Sequence, residues 1–363
     1  MELKKLLTIV GARPQFIKAA SVSRALGGYH EFGIEESIVH TGQHFDDNMS
    51  RVFFDELGIP EPKYNLGISG GSHGKMTGLM LEGIEKVILS EKPDCLLVYG
   101  DTNSTLAGAL AAAKLHCPVA HVEAGLRSFN MRMPEEVNRI LTDKVSDFLF
   151  CPTKVAVNNL ENEGISKGVV LSGDVMFDAA LYYKEIAAKK SNALKDVAVE
   201  KGGYVLATCH RAENTDDPCR LLGILSALSD IAENIKVVMP LHPRTRKIIS
   251  ENGLDRYLGR ISVHDPLPFL DMIALEESAS VIATDSGGVQ KEAFFFQVPC
   301  ITLREETEWV ETVEAGWNTI VGASKEKILD AYQNVKKPVG MLESPYGDGQ
   351  AAQQIIQILK SNI

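Results

Sequence analysis

Short runs of aliphatic and β-branched residues recur along the chain: LLTIV, EESIVHTG, CLLVYG, PVAHVEAG, DFLFCPT and GVVLSG, then GYVLATCH, KVVMPLH, RISVHDP, SVIATDSGG and CITLREE. Stretches with helical spacing separate them, among them KAASVSRAL, GLMLEGIEKVILSE, TLAGALAAAKLH, EVNRILTDKVS, LLGILSALSDIAEN and VQKEAFFFQ. Apolar strands alternating with amphipathic helices predict parallel sheets covered on both faces, the doubly wound α/β arrangement. The alternation occurs twice, which predicts two Rossmann-like domains. The break falls within the Lys-rich helical segment 173 to 203, so the expected domains are 1–171 and 172–344. A length of 363 residues agrees, because single cores stop growing near ~250 to 300 residues.

Composition narrows the classes. With 45% hydrophobic and 23% charged residues the chain reads as an ordinary globular protein. A formal charge of -11 argues against nucleic-acid or membrane-surface partners, which require a basic face. No apolar run approaches the ~18 residues that span a bilayer, and Gly, Arg and Pro interrupt the first apolar run before a signal h-region forms, so a cytoplasmic location is expected. The six cysteines lack CxxC spacing and read as reduced thiols in or near the core.

Open α/β sheets bind ligands beyond the carboxyl ends of their strands. Those exits are rich in chemistry here: Arg13 and Lys18, Gln43 and His44, Asp101, Glu123, His210 and Arg211, His242 and Arg244, then Asp285 to Glu292. In TDSGGVQKEA, Ser286, Gly287 and Gly288 sit between a strand and a helix, where bare N–H groups and the helix dipole can face a phosphate. Glu292 is then placed to accept both hydroxyls of a ribose. An ordinary Ser cap on a Gly-rich turn explains the same residues. Neither GxGxxG nor a Walker loop is present, so no nicotinamide fingerprint or P-loop is read. Arg13 and Lys18 begin a helix where cations oppose the dipole, a placement that favours a ligand role over solvation.

Three carboxylates stand out. Asp101 follows LLVYG and could cap the next helix; Glu123 follows VAHV, where simple solvation is difficult; Glu135 and Glu136 open a helix behind Pro134 and suit its dipole, Glu136 in particular. Adjacent strands ending in Asp101 and Glu123 would gather two carboxylates, and repulsion plus burial would supply an acid and base pair.

The segments GARPQFIK, HTGQH, YGDTNSTLAGALAA, HVEAGLRS, MPEEVNRILTD, HRAEN, PLHPRT, TDSGGVQKEA, LREETEW and SPYGDGQA, in order along essentially the whole chain, resemble the bacterial UDP-N-acetylglucosamine 2-epimerase family. The resemblance implies a glycosyltransferase-B-like fold with its active site in an interdomain cleft, a homodimer, UDP held mainly by the C-terminal domain, and a C-terminal helix, 345–363, returning to the first domain. It implies interconversion of UDP-GlcNAc and UDP-ManNAc through elimination of UDP to a 2-acetamidoglucal and re-addition, supplying surface polysaccharide precursors, with no cofactor or metal. By resemblance Asp101, Glu123 and Glu135 are the acid and base candidates, with His210 also at the chemistry. Arg13, Lys18, Arg139 and His210 contact or balance the diphosphate, His242 is a further substrate-binding candidate, and Ser286, Gly287, Gly288 and Glu292 hold phosphate and ribose.

The departures matter. EAGLRSFNMRMPEE is shorter than the family's usual segment and carries Arg127 and Arg132, and TEWVE puts Trp309 where an arginine is expected near the diphosphate. These variants resemble a branch containing UDP-2,3-diacetamido-2,3-dideoxyglucuronate 2-epimerases, whose sugar carboxylate an arginine such as Arg132 could pair. A second, activating UDP-GlcNAc site would use Gln43 and His44, but GISGGSHGKMTG lacks the arginine that completes it. UDP-GlcNAc is the first substrate reading and the diacetamido-uronate the second. Hydrolysis to free ManNAc, a glycosyltransferase of the same fold and a non-catalytic nucleotide-sugar sensor are the alternatives.

Overall fold

The computed structural model describes residues 3–27, 33–42, 58, 60–338 and 344–363. The chain divides into two compact units, Met1–Ala179 with Glu343–Ile363, and Ala180–Leu342. The helix Val175–Lys190 passes from the first unit into the second.

Among its described residues the first unit holds seven parallel strands: β1 (Lys4–Val10), β2 (Ile34–His40), β3 (Tyr64–Asn65), β4 (Cys95–Tyr99), β5 (Val119–Val122), β6 (Phe148–Cys151) and β7 (Val169–Leu171). Their order is β3-β2-β1-β4-β5-β6-β7. The central strands are buried along their length because helices cover both faces, which is why their sequences read as unbroken apolar runs. On one face the helices His73–Glu91 and Asn103–Lys114 enclose a core of Ile9, Val39, Met80, Ile84, Leu96, Val98 and Val119. The C-terminal helix Ala351–Asn362 belongs to this unit; its first amides, Ala351 N and Ala352 N, donate to the Asp178 carboxylate at 3.2 and 2.7 Å.

The second unit repeats the plan with β8 (Tyr204–Thr208), β9 (Lys236–Pro240), β10 (Ser262–His264), β11 (Val281–Thr284), β12 (Cys300–Thr302) and β13 (Asn318–Ile320), all parallel, in the order β10-β9-β8-β11-β12-β13. Its core joins Leu221, Ile224, Leu225 and Leu228 of the helix Pro218–Ile231 to Val205, Val237, Met239 and Ile301. Both units are therefore Rossmann-like, as the alternation predicted. The short edge strands β3 and β13, two and three residues long, were not anticipated.

Strand order locates the chemistry. In each sheet the order reverses between the first and fourth strands, and the loops leaving those two strands diverge to opposite faces, opening a crevice. The reversal lies between β1 and β4 in the first unit and between β8 and β11 in the second. No helix among the described residues is long and apolar enough to cross a membrane. Cys95, Cys117, Cys151, Cys209 and Cys300 are buried free thiols, and Cys219 is an exposed one.

Candidate active site

The first unit gathers four of the singled-out side chains at its reversal point. Lys18, in the helix Arg13–Ala25 that follows β1, forms an ion pair with Glu123 at the exit of β5, and the two side chains are only 10% and 9% exposed. The cation near the start of that helix thus has a buried carboxylate as its partner. Asp101, beyond the end of β4, pairs with Arg139 of the helix Pro134–Val145. It does not cap the next helix: Thr102 does, accepting from Thr105 N. Burial pushes the Asp101 carboxyl above the usual range; Arg139 and Lys18 pull it down, Glu123 pushes it up, and the net direction is upward.

The backbone here is specialised. Glu123 has φ +73°, a left-handed conformation that costs a non-glycine residue roughly 1–2 kcal/mol. Gly100, at φ +62°, lies so close to the ion pair that a Cβ would sit 3.2 Å from both Glu123 Oε2 and Lys18 Nζ. Gln15 fastens the turn after β1: its Oε1 accepts from Gly11 N and Ala12 N at 2.9 and 3.0 Å, and its Nε2 donates to Tyr99 O at 2.9 Å. Asn138 donates to Asp101 O at 2.9 Å. These positioning groups were missed in the sequence because Tyr99 O and Asp101 O, the partners that fix their role, are 84 and 37 residues away.

The remaining first-unit candidates separate. Glu135 is exposed on the first turn of its helix. Glu136 is buried and structural, accepting from Ser128 N, Ser128 Oγ and Phe129 N, each at 2.9 Å, and from Arg139 at 2.9 Å. It shapes a loop that presents Phe129, Met131 and Arg132 to solvent. Arg127 corrects an expectation. Its guanidinium is enclosed, bound to Glu163 at 2.6 and 2.9 Å and to Asp143 at 2.7 Å, so it is committed to the interior and not offered to a sugar. Arg13 opens its helix at the β1 exit, and Gln43 and His44 lie outside the described residues.

In the second unit Asp285 organises the reversal point. This fully buried carboxylate follows β11 and accepts from His210 N at 3.0 Å, Arg211 N at 3.0 Å and Asn214 Nδ2 at 3.1 Å. The His210 ring stays half exposed, with Nδ1 3.7 Å from Asp285 Oδ1. Ser286 then precedes the helix Gly287–Phe295, and its hydroxyl does not cap that helix. Gly288 is exposed, and Glu292 is half buried in the second turn. Gly287 is required by close approach, since a Cβ would lie 2.5 Å from Glu308 Oε1 and 3.3 Å from Trp309 Nε1. Trp309 covers Lys291, whose ammonium is 4.0 Å from the ring centroid. Glu308 pairs with Arg304 at 2.9 Å; burial raises its carboxyl, and the charges of Arg304 and Arg211 outweigh that and leave it lowered. His242 lies at the exit of β9, where its Nδ1 accepts from Arg244 N at 3.2 Å and caps the helix Pro243–Glu251.

The arrangement therefore offers paired carboxylates and cations in one unit, and a helix start with free backbone donors in the other. Residues 29–360 match the family model described as UDP-N-acetylglucosamine 2-epimerase. The chain belongs to the UDP-N-acetylglucosamine 2-epimerase family. It is 55% identical over 360 residues to the UDP-2,3-diacetamido-2,3-dideoxy-D-glucuronate 2-epimerase of Pseudomonas aeruginosa, covering 98% of this chain and 99% of that one. It is 50% identical to a UDP-N-acetylglucosamine 2-epimerase homolog of Methanococcus maripaludis, covering 98% and 99%. The crystal structure of the Methanocaldococcus jannaschii UDP-GlcNAc 2-epimerase, in complex with UDP-GlcNAc and UDP, matches with a TM-score of 0.88 at 45% identity, covering 99% of this chain and all (100%) of that one. The fold is accordingly the glycosyltransferase-B-like fold of these epimerases.

Proposed function

We propose that the protein inverts C2 of a UDP-2-acetamido sugar by eliminating and re-adding UDP. The observation that carries this reading is the pairing of Lys18 with Glu123 and of Arg139 with Asp101 at one reversal point, which sets two carboxylates of different environment side by side. The C2 proton has no neighbouring carbonyl and is barely acidic, so direct removal is unfavourable. In the proposed step a base takes that proton, the C1–O bond breaks with its electron pair leaving on the β-phosphate, and a C1–C2 double bond forms. Return of a proton to the opposite face and re-addition of UDP complete the inversion.

Each group has a task in this reading. Glu123, held against Lys18, supplies a carboxylate anion for one face of C2. Asp101, pushed upward by burial, suits a group that exchanges a proton nearer neutrality. Glu135 is the third acid-base candidate. The diphosphate is bound by the amides of Gly287 and Gly288 and by Ser286, with Glu292 on the ribose; His210, Arg13, Lys18 and Arg139 balance the charge that grows on departing UDP. His242, at the exit of β9, is a further substrate-binding candidate. No step calls for a cofactor.

For the sugar, the 55% identity to the diacetamido-glucuronate epimerase and the exposed Arg132 favour a 2,3-diacetamido uronate, whose carboxylate suits a guanidinium. UDP-GlcNAc is the competing reading, supported by the Methanocaldococcus likeness. Proton NMR of the purified protein with each nucleotide sugar in deuterated water tests both. The expected product is the C2 epimer, still nucleotide-linked and deuterated at C2. Accumulation of free sugar and UDP would make the protein a hydrolysing epimerase. Turnover only with an added acceptor would make it a glycosyltransferase.

A further inference from the structure

We propose that His121 is a positioning residue that holds the two turns carrying Asp101 and Glu123 in register, a role that rests on the proposed function. His121 lies within β5 and is completely buried, where an apolar side chain would fill the space without desolvating an imidazole. Its ring spans two elements. Nε2 lies 2.7 Å from the carbonyl oxygen of Gly100, the residue before Asp101, and Nδ1 lies 2.7 Å from Asp143 Oδ1 on the helix Pro134–Val145.

A carbonyl oxygen can only accept, so Nε2 donates. Nδ1 faces the Asp143 carboxyl on the neighbouring helix. The ring therefore bridges the Gly100 carbonyl and the Asp143 side chain. The other Asp143 oxygen accepts from Gly125 N at 3.2 Å and from Arg127 at 2.7 Å, and Arg127 continues to Glu163. One carboxylate thus binds the turn after Glu123, and through His121 it binds the turn before Asp101.

Both turns need holding. Glu123 has φ +73°, a left-handed conformation that surrounding structure must impose on a non-glycine residue, and Gly100 and Gly125 turn beside it at +62° and +78°. The Gly100 backbone also abuts the Lys18–Glu123 pair. His121 acts on the two carboxylates through the backbone of their turns. Placement errors near ~1 Å cost about 100-fold in rate, so loss of the bridge is expected to fall on turnover more than on nucleotide binding.

The test compares wild-type protein with His121→Asn and Asp143→Asn. Turnover per folded molecule is measured with the better of the two nucleotide sugars, alongside KM and the dissociation constant for UDP. The expected result for His121→Asn is a fall in kcat of about 100-fold, with KM and UDP binding changed by less than about 3-fold. Asp143→Asn should change the same parameter in the same direction. Nitrogen-15 NMR of histidine-labelled wild-type protein gives a readout independent of activity, and one buried ring should show a hydrogen-bonded Nε2–H slow to exchange. Wild-type kcat in folded His121→Asn, or the absence of a slowly exchanging Nε2–H on a buried ring, overturns the proposal. Should His121→Asn fail to fold, the spectrum and Asp143→Asn decide. If wild-type protein epimerises neither sugar, the functional reading fails, and the spectrum still judges the bridge.

Discussion

Replacing Lys18 by Met tests the electrostatic arrangement of the first unit. Two unit charges about 3 Å apart attract by roughly 5 kcal/mol at an effective dielectric near 20, but desolvation opposes most of that gain. The measurable quantity is the cost of leaving Glu123 buried without its cation and near Asp101, about 3 kcal/mol for a pair as enclosed as this one. Glu123→Gln should cost less, about 1 kcal/mol, because Asp101 remains near Lys18. The double variant should fall short of the sum of the singles by about 2 kcal/mol. Urea unfolding read by far-UV circular dichroism supplies these values. Both tryptophans, Trp309 and Trp317, lie in the second unit, so selective tryptophan excitation serves as an internal reference.

The Lys18→Met deficit should also depend on pH. Lys18 is one of the charges that hold the Asp101 carboxyl down, so without it that carboxyl, already raised by burial, moves further up. A carboxyl lifted in this way contributes its stability fully below the unfolded value and loses it as pH rises through the folded one. The deficit against wild type should therefore be small near pH 4 and grow toward pH 7. Additive single effects, or a deficit independent of pH, would refute the reasoning.

Three other perturbations have defined outcomes. Gly100→Ala places a Cβ 3.2 Å from both ends of the ion pair on a left-handed backbone; calorimetry should show a loss of about 1–2 kcal/mol, with kcat lowered further than KM is raised. Glu36 accepts from Thr8 Oγ1 and Ser23 Oγ, and burial raises its carboxyl despite both bonds. Its stabilising contribution is complete below the unfolded value and lost as pH rises, so Glu36→Gln should gain stability relative to wild type between pH 5 and pH 8 in melting curves, at ~0.1 M salt. Gly287→Ala would force Glu308 and Trp309 away from the helix start, and titration calorimetry should show UDP binding weakened by about tenfold or more.

The sequence disclosed the fold because its signal is local. Buried parallel strands such as CLLVY and helices such as NSTLAGALAAAK declare themselves within a dozen residues. β3 and β13 escaped because YN and NTI contain no run of apolar residues. The candidate site was legible as a set of strand exits, but its pairings were not: Lys18 meets Glu123 across 105 positions, and Asp285 meets His210 across 75. Arg127 looked available because Glu163, its partner, lies 36 residues away. His121 and Asp143 were overlooked for the same reason, although a histidine inside the apolar run PVAHV was itself a clue. Trp309 registered as a missing arginine, and its place over Lys291 needed the fold.

Departure and return of UDP at C1 are the central steps of the proposed reaction. The most direct measurement is positional isotope exchange with a nucleotide sugar carrying oxygen-18 in the bridge between C1 and the β-phosphorus. Elimination frees the β-phosphate to rotate before re-addition, so the label is predicted to appear in non-bridging positions of recovered substrate and epimer while C2 inverts. Inversion at C2 with the label retained wholly in the bridge would contradict it.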